Sequence, residues 1–297
     1  MNAPEPEGRG ESPASRLDAL LPPEMAERAE ETGVAKAALD LPRLLTLAVL
    51  AGAFIALGGV FATTALAGAG AAPWGPVRVL AGAAFSLGLI LVVVGGAELF
   101  TGNNLIVMAW AGGRVSTTAL LRNWTVVFAG NFVGATATAL AVCLAGTHRG
   151  GEGAFGVAAF AVAHAKLQPG FLQAVVLGIL CNALVCLAIW LTYSARTTAD
   201  RILAVVPPIS AFVAAGFEHS IANMYFVPYA IFVAALDPDF VAARGLGPAA
   251  PALTWVAFLG RNLLPVTIGN IIGGSILVGA VYWFAYLRPR RAGIGAR

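Results

Sequence analysis

Charged side chains are scarce in this chain of 297 residues: 11% of them, against 59% hydrophobic. Soluble domains carry about 25% charged and about 45–50% apolar residues. The shortage excludes an ordinary soluble enzyme, a nucleic-acid binder and a disordered protein, and points to a polytopic membrane protein. Residues 1–40 hold 13 of the 33 charges and residues 288–297 hold four, so the net charge of +3 describes tails and loops. It argues topology and no nucleic-acid partner. Lysine is nearly missing, with Lys36 and Lys166 alone beside 16 arginines. The three cysteines, Cys143, Cys181 and Cys186, sit in apolar runs. That odd count, inside apolar spans, implies neither a disulfide framework nor a zinc site, and reads as small buried hydrophobes. No apolar segment follows a basic start at the N-terminus, so the first span is expected to be inserted rather than cleaved. Metal-ligand clusters, a nucleophile elbow and a phosphate loop are all missing. No enzymatic activity, metal or cofactor is expected. Paired Asn-Pro-Ala boxes, which a water channel of aquaporin type would need, are missing too.

What is present is apolar sequence of membrane-crossing length. A helix needs about 20 residues to cross about 30 Å of hydrocarbon. Leu44–Leu66, Trp124–Ala145, Phe171–Tyr193 and Asn262–Leu287 each fit one crossing without a charge. Val79–Gly113 and Ile202–Leu236 are too long for one straight crossing. Each is interrupted by a polar cluster, Glu98-Leu-Phe-Thr-Gly-Asn103 in the first and Glu218-His-Ser-Ile-Ala-Asn223 in the second. Both are read as broken helices, which makes six transmembrane elements. Residues 1–15 read as a disordered tail. Residues 16–36 read as a mixed-charge helix that suits either a membrane surface or a solvated cap. The division is thus a cytoplasmic tail and surface helix (1–40), a channel domain (41–287) and a C-terminal tail (288–297). With the N-terminus inside, lysines and arginines partition 13 inside and five outside, so both termini are expected in the cytoplasm.

Two stretches repeat residue for residue. Arg122-Asn123 is followed by Gly130-Asn131-Phe-Val-Gly134, and Arg261-Asn262 by Gly269-Asn270-Ile-Ile-Gly273. Three elements per half is an odd number, so the halves run in opposite directions through the membrane. Inverted repeats with discontinuous helices place a substrate path at their interface. Small residues explain the glycines as close helix contacts; they leave the asparagines unexplained.

Ionisable groups at membrane depth are costly and mark pathways. Here they are Glu98, Glu218 and His219, all at the breaks. Irregular backbone at depth must be buried in protein or line a cavity. The carboxylates fit either a pathway role or the plainer one of accepting loop amides. His219 lies beside hydroxyl and amide residues, and an imidazole, which ordinarily titrates near pH 6.5, can both donate and accept a proton.

At this point the chain resembles the formate/nitrite transporter family. The matching segments are Met25-AERAEETGVAK-Ala37, Phe85-SLGLILVVVGGAELFTGN-Asn104, Gly178-ILCNALVCLAIW-Leu191, Gly216-FEHSIAN-Met224 and Asn262-LLPVTIGNIIGG-Ser275. The resemblance implies a homopentamer of aquaporin-like, six-element protomers in a bacterial cytoplasmic (inner) membrane, each with its own pore. It implies that His219 is the central pore histidine, Thr101 its hydrogen-bond partner, Asn270 its support and Asn182 a path-lining residue. It also implies that Phe85, Leu89 and Phe212 form apolar slits, with Phe100 and Val185 across the centre, and that Lys166 stands near the outer mouth.

Two apolar slits around a polar centre suit the conjugate base of a weak acid. An ion entering a dry site faces an idealised cost of about 20 kcal/mol, and still several after relaxation. Protonating an acid of pKa about 4 at pH 7 costs only about 4 kcal/mol. A histidine that lends a proton to the anion and takes it back is one route; a fixed anion-selective hole with no proton step is the other. Formate is the expected substrate, with nitrite or hydrosulfide as the alternative. An alternating-access transporter would also use broken helices; channel-like flux against slow saturable turnover separates the two.

Overall fold

The computed structural model describes residues 19–288, and every regular element among them is helical. The stretch 1–15 and Arg290, Arg291 and Arg297 lie outside the described residues. Five helices are long and apolar enough to cross a membrane: α2 (Leu41–Leu66), α3 (Trp74–Gly95), α6 (Thr117–Leu144), α8 (Phe171–Ser194) and α12 (Trp255–Leu287). Before α2 comes the amphipathic α1 (Pro22–Ala37). After α3 come two short pieces, α4 (Phe100–Asn103) and α5 (Val107–Ala111). In the second half lie α7 (Ala154–Lys166), α9 (Thr198–Ala214), α10 (Ser220–Leu236) and α11 (Pro238–Ala243).

Local chemistry sets the ends. The Asp40 carboxylate accepts the Arg43 amide to start α2, with Pro42 in the first turn. Ser116 does the same for α6. Thr197 and Asp200 form a reciprocal capping box that starts α9 at Thr198, four residues ahead of the expected Ile202. Five boundaries move past arginines that the charge pattern places in loops: α2 takes in Arg43, α6 Arg122, α9 Arg201, α3 Arg78 and α12 Arg261. The third helix starts at Trp74 and so includes Arg78, whose guanidinium donates to the Val213 carbonyl at 2.6 Å. The last helix starts at Trp255 and includes Arg261. A long arginine stem lets the backbone stay apolar while the charge finds carbonyls or water.

Glycines let the helices touch. A Cβ on Gly134 of α6 would overlap the Val49 carbonyl of α2, and one on Gly273 of α12 would overlap the Ile179 carbonyl of α8. The same contact thus occurs in both halves. The α12 helix is wound wide, with π-type turns over Phe258–Leu263, Ile272–Ala280 and Trp283–Leu287. The core runs through the middle of the molecule from Leu44 and Ile55 on α2, past Phe85 and Leu89, to Tyr225 and Tyr229 on α10. Large apolar side chains also cover the outside: Phe61, Val133, Leu172 and Val256 are all exposed.

Candidate functional site

Two turns of backbone make the site. Helix α3 ends at Gly95, and Gly96 takes φ +78° before Leu99 returns to extended geometry ahead of α4. Helix α9 ends at Ala214, Gly216 takes φ +77°, and His219 is extended ahead of α10. Only glycine adopts such angles without strain, and each turn delivers a carboxylate two residues later.

The carboxylates sit in matching networks. Glu98 accepts from Lys36 Nζ at 2.6 Å and from Asn103 Nδ2 at 2.7 Å. Glu218 accepts from Lys166 Nζ at 2.9 Å and from Asn223 Nδ2 at 2.7 Å. Asn103 also donates to Asn123 Oδ1, and Asn223 to Asn262 Oδ1. Asn123 and Asn262 close each ring by donating to the Lys36 and Lys166 carbonyls. Both carboxylates are therefore neutralised by a lysine and fully hydrogen-bonded, the condition under which a buried charge is tolerated. Neither stands bare against an approaching anion.

The repeated asparagines brace the turns. Asn131 Oδ1 accepts the Phe100 amide while its Nδ2 donates to the Ala48 and Glu98 carbonyls. Asn270 Oδ1 accepts the Ser220 amide while its Nδ2 donates to the Gly178 and Glu218 carbonyls. Each amide satisfies an N–H and a carbonyl that the turn leaves without a helical partner, Phe100 and Glu98 or Ser220 and Glu218, and ties them to the Ala48 or Gly178 carbonyl of a neighbouring helix.

His219 joins the two turns. Its Nδ1 accepts the Ala222 amide at 3.0 Å and so caps α10. The other ring nitrogen then carries the proton, and Nε2 donates to Thr101 Oγ1 at 3.1 Å. The Phe212 ring lies 5.9 Å from the imidazole and nearly parallel to it, and Phe85 meets Phe212 edge-on at 5.8 Å. Asn182 Nδ2 bridges the two halves, donating to the Thr101 and Asn270 carbonyls at 3.2 and 2.7 Å. Phe85, Leu89, Val185 and Phe212 are all buried. Phe100 is buried too, against Trp124 and Phe128. Its neighbour Leu99 lines a cavity of about 280 Å³ beside the turn after α3, with Lys36, Glu98, Val92 and Ile106.

Sequence reasoning passed over Lys36, Asn103, Asn223 and Leu99. Two signals were available for the first three. Lys36 is the other of only two lysines, and Glu-x4-Asn occurs in both polar clusters. Among the described residues, no group of three or more His, Cys, Asp or Glu is placed to hold a metal ion.

Comparisons with known proteins agree on one family. The model of the formate/nitrite transporter family matches residues 23–284. The formate channel FocA of Escherichia coli (strain K12) is 46% identical over 274 residues, covering 92% of this chain and 96% of its own. The formate channel FocA of Haemophilus influenzae is 41% identical over 263 residues, 88% of this chain and 93% of its own. Among solved structures, a pentameric formate channel with formate bound superposes with a TM-score of 0.79 at 44% identity. It covers 83% of this chain and 98% of its own.

Proposed function

Because the chain belongs to the formate/nitrite transporter family, we propose that it is a multi-pass membrane channel for formate. The observation that carries the reading is the buried Thr101–His219 pair beside the Phe212 and Phe85 rings, with a lysine-paired carboxylate on each of the two turns. A small anion is drawn toward Lys36 on one side and Lys166 on the other. It then meets a polar centre between apolar walls, where it can pass only with its charge reduced. Formate relatives at 46 and 41% identity favour formate over nitrite or hydrosulfide.

Finer features belong to the same proposal. The six-element protomer adds α9 with α10 to the five long helices, and α3 with α4 and α5 forms the matching broken element. The mirrored networks around Glu98 and Glu218 support an inverted repeat, with residues 41–287 as the channel body. Residues Arg114 and Arg122 lie by α1, pairing with Glu30 and the Leu39 carbonyl, which supports an inner face there and cytoplasmic termini. The pentameric relative and the exposed apolar faces support self-association in a bacterial inner membrane.

A proton loan fits the centre in this way. An imidazolium at His219 gives its Nε2 proton to formate, formic acid passes the apolar slit, and the neutral ring takes the proton back. Charging the ring requires Nδ1 to leave the Ala222 amide, so the loan is coupled to the cap of α10. The experiment is efflux of labelled formate, nitrite and sulfide from liposomes holding the purified protein. Formate flux well above protein-free liposomes is expected. Flux of nitrite or hydrosulfide without formate would overturn the substrate.

A further inference from the structure

The cavity beside the first break holds more positive charge than a formate path needs. Besides Lys36, its wall carries Arg28 from α1 and Arg201 from α9. Lys36 is neutralised by Glu98. Neither arginine forms an ion pair with a described residue. Thr32 and Tyr193 add hydroxyls to the same wall. The volume of about 280 Å³ equals roughly nine waters at about 30 Å³ each, far more than a three-atom anion fills.

Two guanidiniums facing one space form two planar forks, which match an anion with two charges and several oxygens. Such an anion can enter but cannot go on. The cost of drying an ion grows with the square of its charge, so a dianion faces about four times the monovalent cost at the apolar slit. We propose that this cavity binds a divalent oxyanion, a phosphate group or a dicarboxylate, between Arg28 and Arg201. Its occupation stops formate from that side and ties α1 to α9. The blocking role rests on the channel reading above; the binding site does not.

Efflux of labelled formate is measured from phosphatidylcholine liposomes with inorganic phosphate on both faces. The wild type is compared with R28Q/R201Q, each relative to its own phosphate-free rate. The wild type should be blocked, and the variant should need at least about tenfold more phosphate for the same block. The R28K/R201K variant should recover part of the block, because two cations remain without the forks. Equal block in wild type and R28Q/R201Q, or block in neither, would overturn the proposal. Replacing part of the phosphatidylcholine by phosphatidic acid, whose phosphomonoester can carry two charges, without free phosphate separates the sources: an arginine-dependent block there assigns the oxyanion to a lipid headgroup, and its absence assigns it to a soluble anion. Calorimetric binding of phosphate to the detergent-purified protein reads the site without flux. Binding that the R28Q/R201Q variant loses, in a protein that passes no formate, would sink the channel reading and leave the site standing.

Discussion

His219 does two things with one ring: it caps α10 through Nδ1 and holds Thr101 through Nε2. The bond to Thr101 was implied by the family resemblance; the cap of α10 was not, because from the residues alone His219 stands out only as an ionisable group at depth. The lysines teach a related lesson. Lys166 and Lys36 are equivalent in space, yet 52 and 62 residues separate them from their carboxylates, and no local pattern links such distances. Away from the centre, a third ionisable cluster joins the loop after α6 to the end of α10. His148 Nε2 donates to Asp237 at 2.8 Å and Arg149 donates to the same oxygen at 2.7 Å. The hydrogen bond from His148 first, then those from Arg149, lower the Asp237 carboxyl to about 2. An unfolded aspartate titrates near 3.9, so on acidification the unfolded chain takes up the proton first. The stabilisation is complete above about pH 4 and is lost as pH falls through about 2. Thermal unfolding in detergent between about pH 5 and 2 should therefore show a steeper loss for the wild type than for Asp237→Asn. Parallel curves would mean that the cluster does not couple to folding.

At the scale of elements, the asparagine braces decide whether the breaks hold. Removing the Asn131 amide leaves the Phe100 N–H and the Glu98 carbonyl without their partner and cuts the tie to the Ala48 carbonyl of α2. Buried polar groups left unsatisfied cost about 1–3 kcal/mol each. Asn131→Ala should lower stability by roughly 3 kcal/mol or more, and Asn270→Ala by a similar amount. Melting curves of the two variants in detergent check this; an unshifted melting temperature for either would show that its break stands without the brace. The spacing of these asparagines was readable, because the Arg-Asn and Gly-Asn-x2-Gly pieces recur letter for letter. What they bond to was not, because each partner lies on another helix or in a turn far along the chain. Element boundaries shifted for a physical reason as well. Arg78 and Arg261 looked like loop residues by charge, yet helices α3 and α12 contain them. The two breaks are also less alike than the sequence suggests. Helix α3 alone has 22 residues, about 33 Å at 1.5 Å per residue, whereas α9 and α10 have 17 residues each.

For the whole molecule, composition alone indicated a membrane protein, and the exposed Phe61, Val133, Leu172 and Val256 give it an apolar outer surface. Assembly leaves no such trace in composition; it enters through the pentameric relative. Native mass spectrometry of the detergent-solubilised protein should give five times the chain mass of 30.3 kDa, and any other stoichiometry would contradict the assembly. The central claim is that formate crosses at Thr101 and His219 with a borrowed proton. Its most direct test is formate uptake into liposomes as a function of external pH, wild type against His219→Asn. Asparagine is among the best N-cap residues, so the variant keeps the cap of α10, but it does not titrate near neutrality. The account predicts that the variant folds, assembles and still passes formate outward, while the rise of uptake at low external pH disappears. Wild-type pH dependence in the asparagine variant would contradict the proton loan and leave His219 as a brace in a fixed anion path.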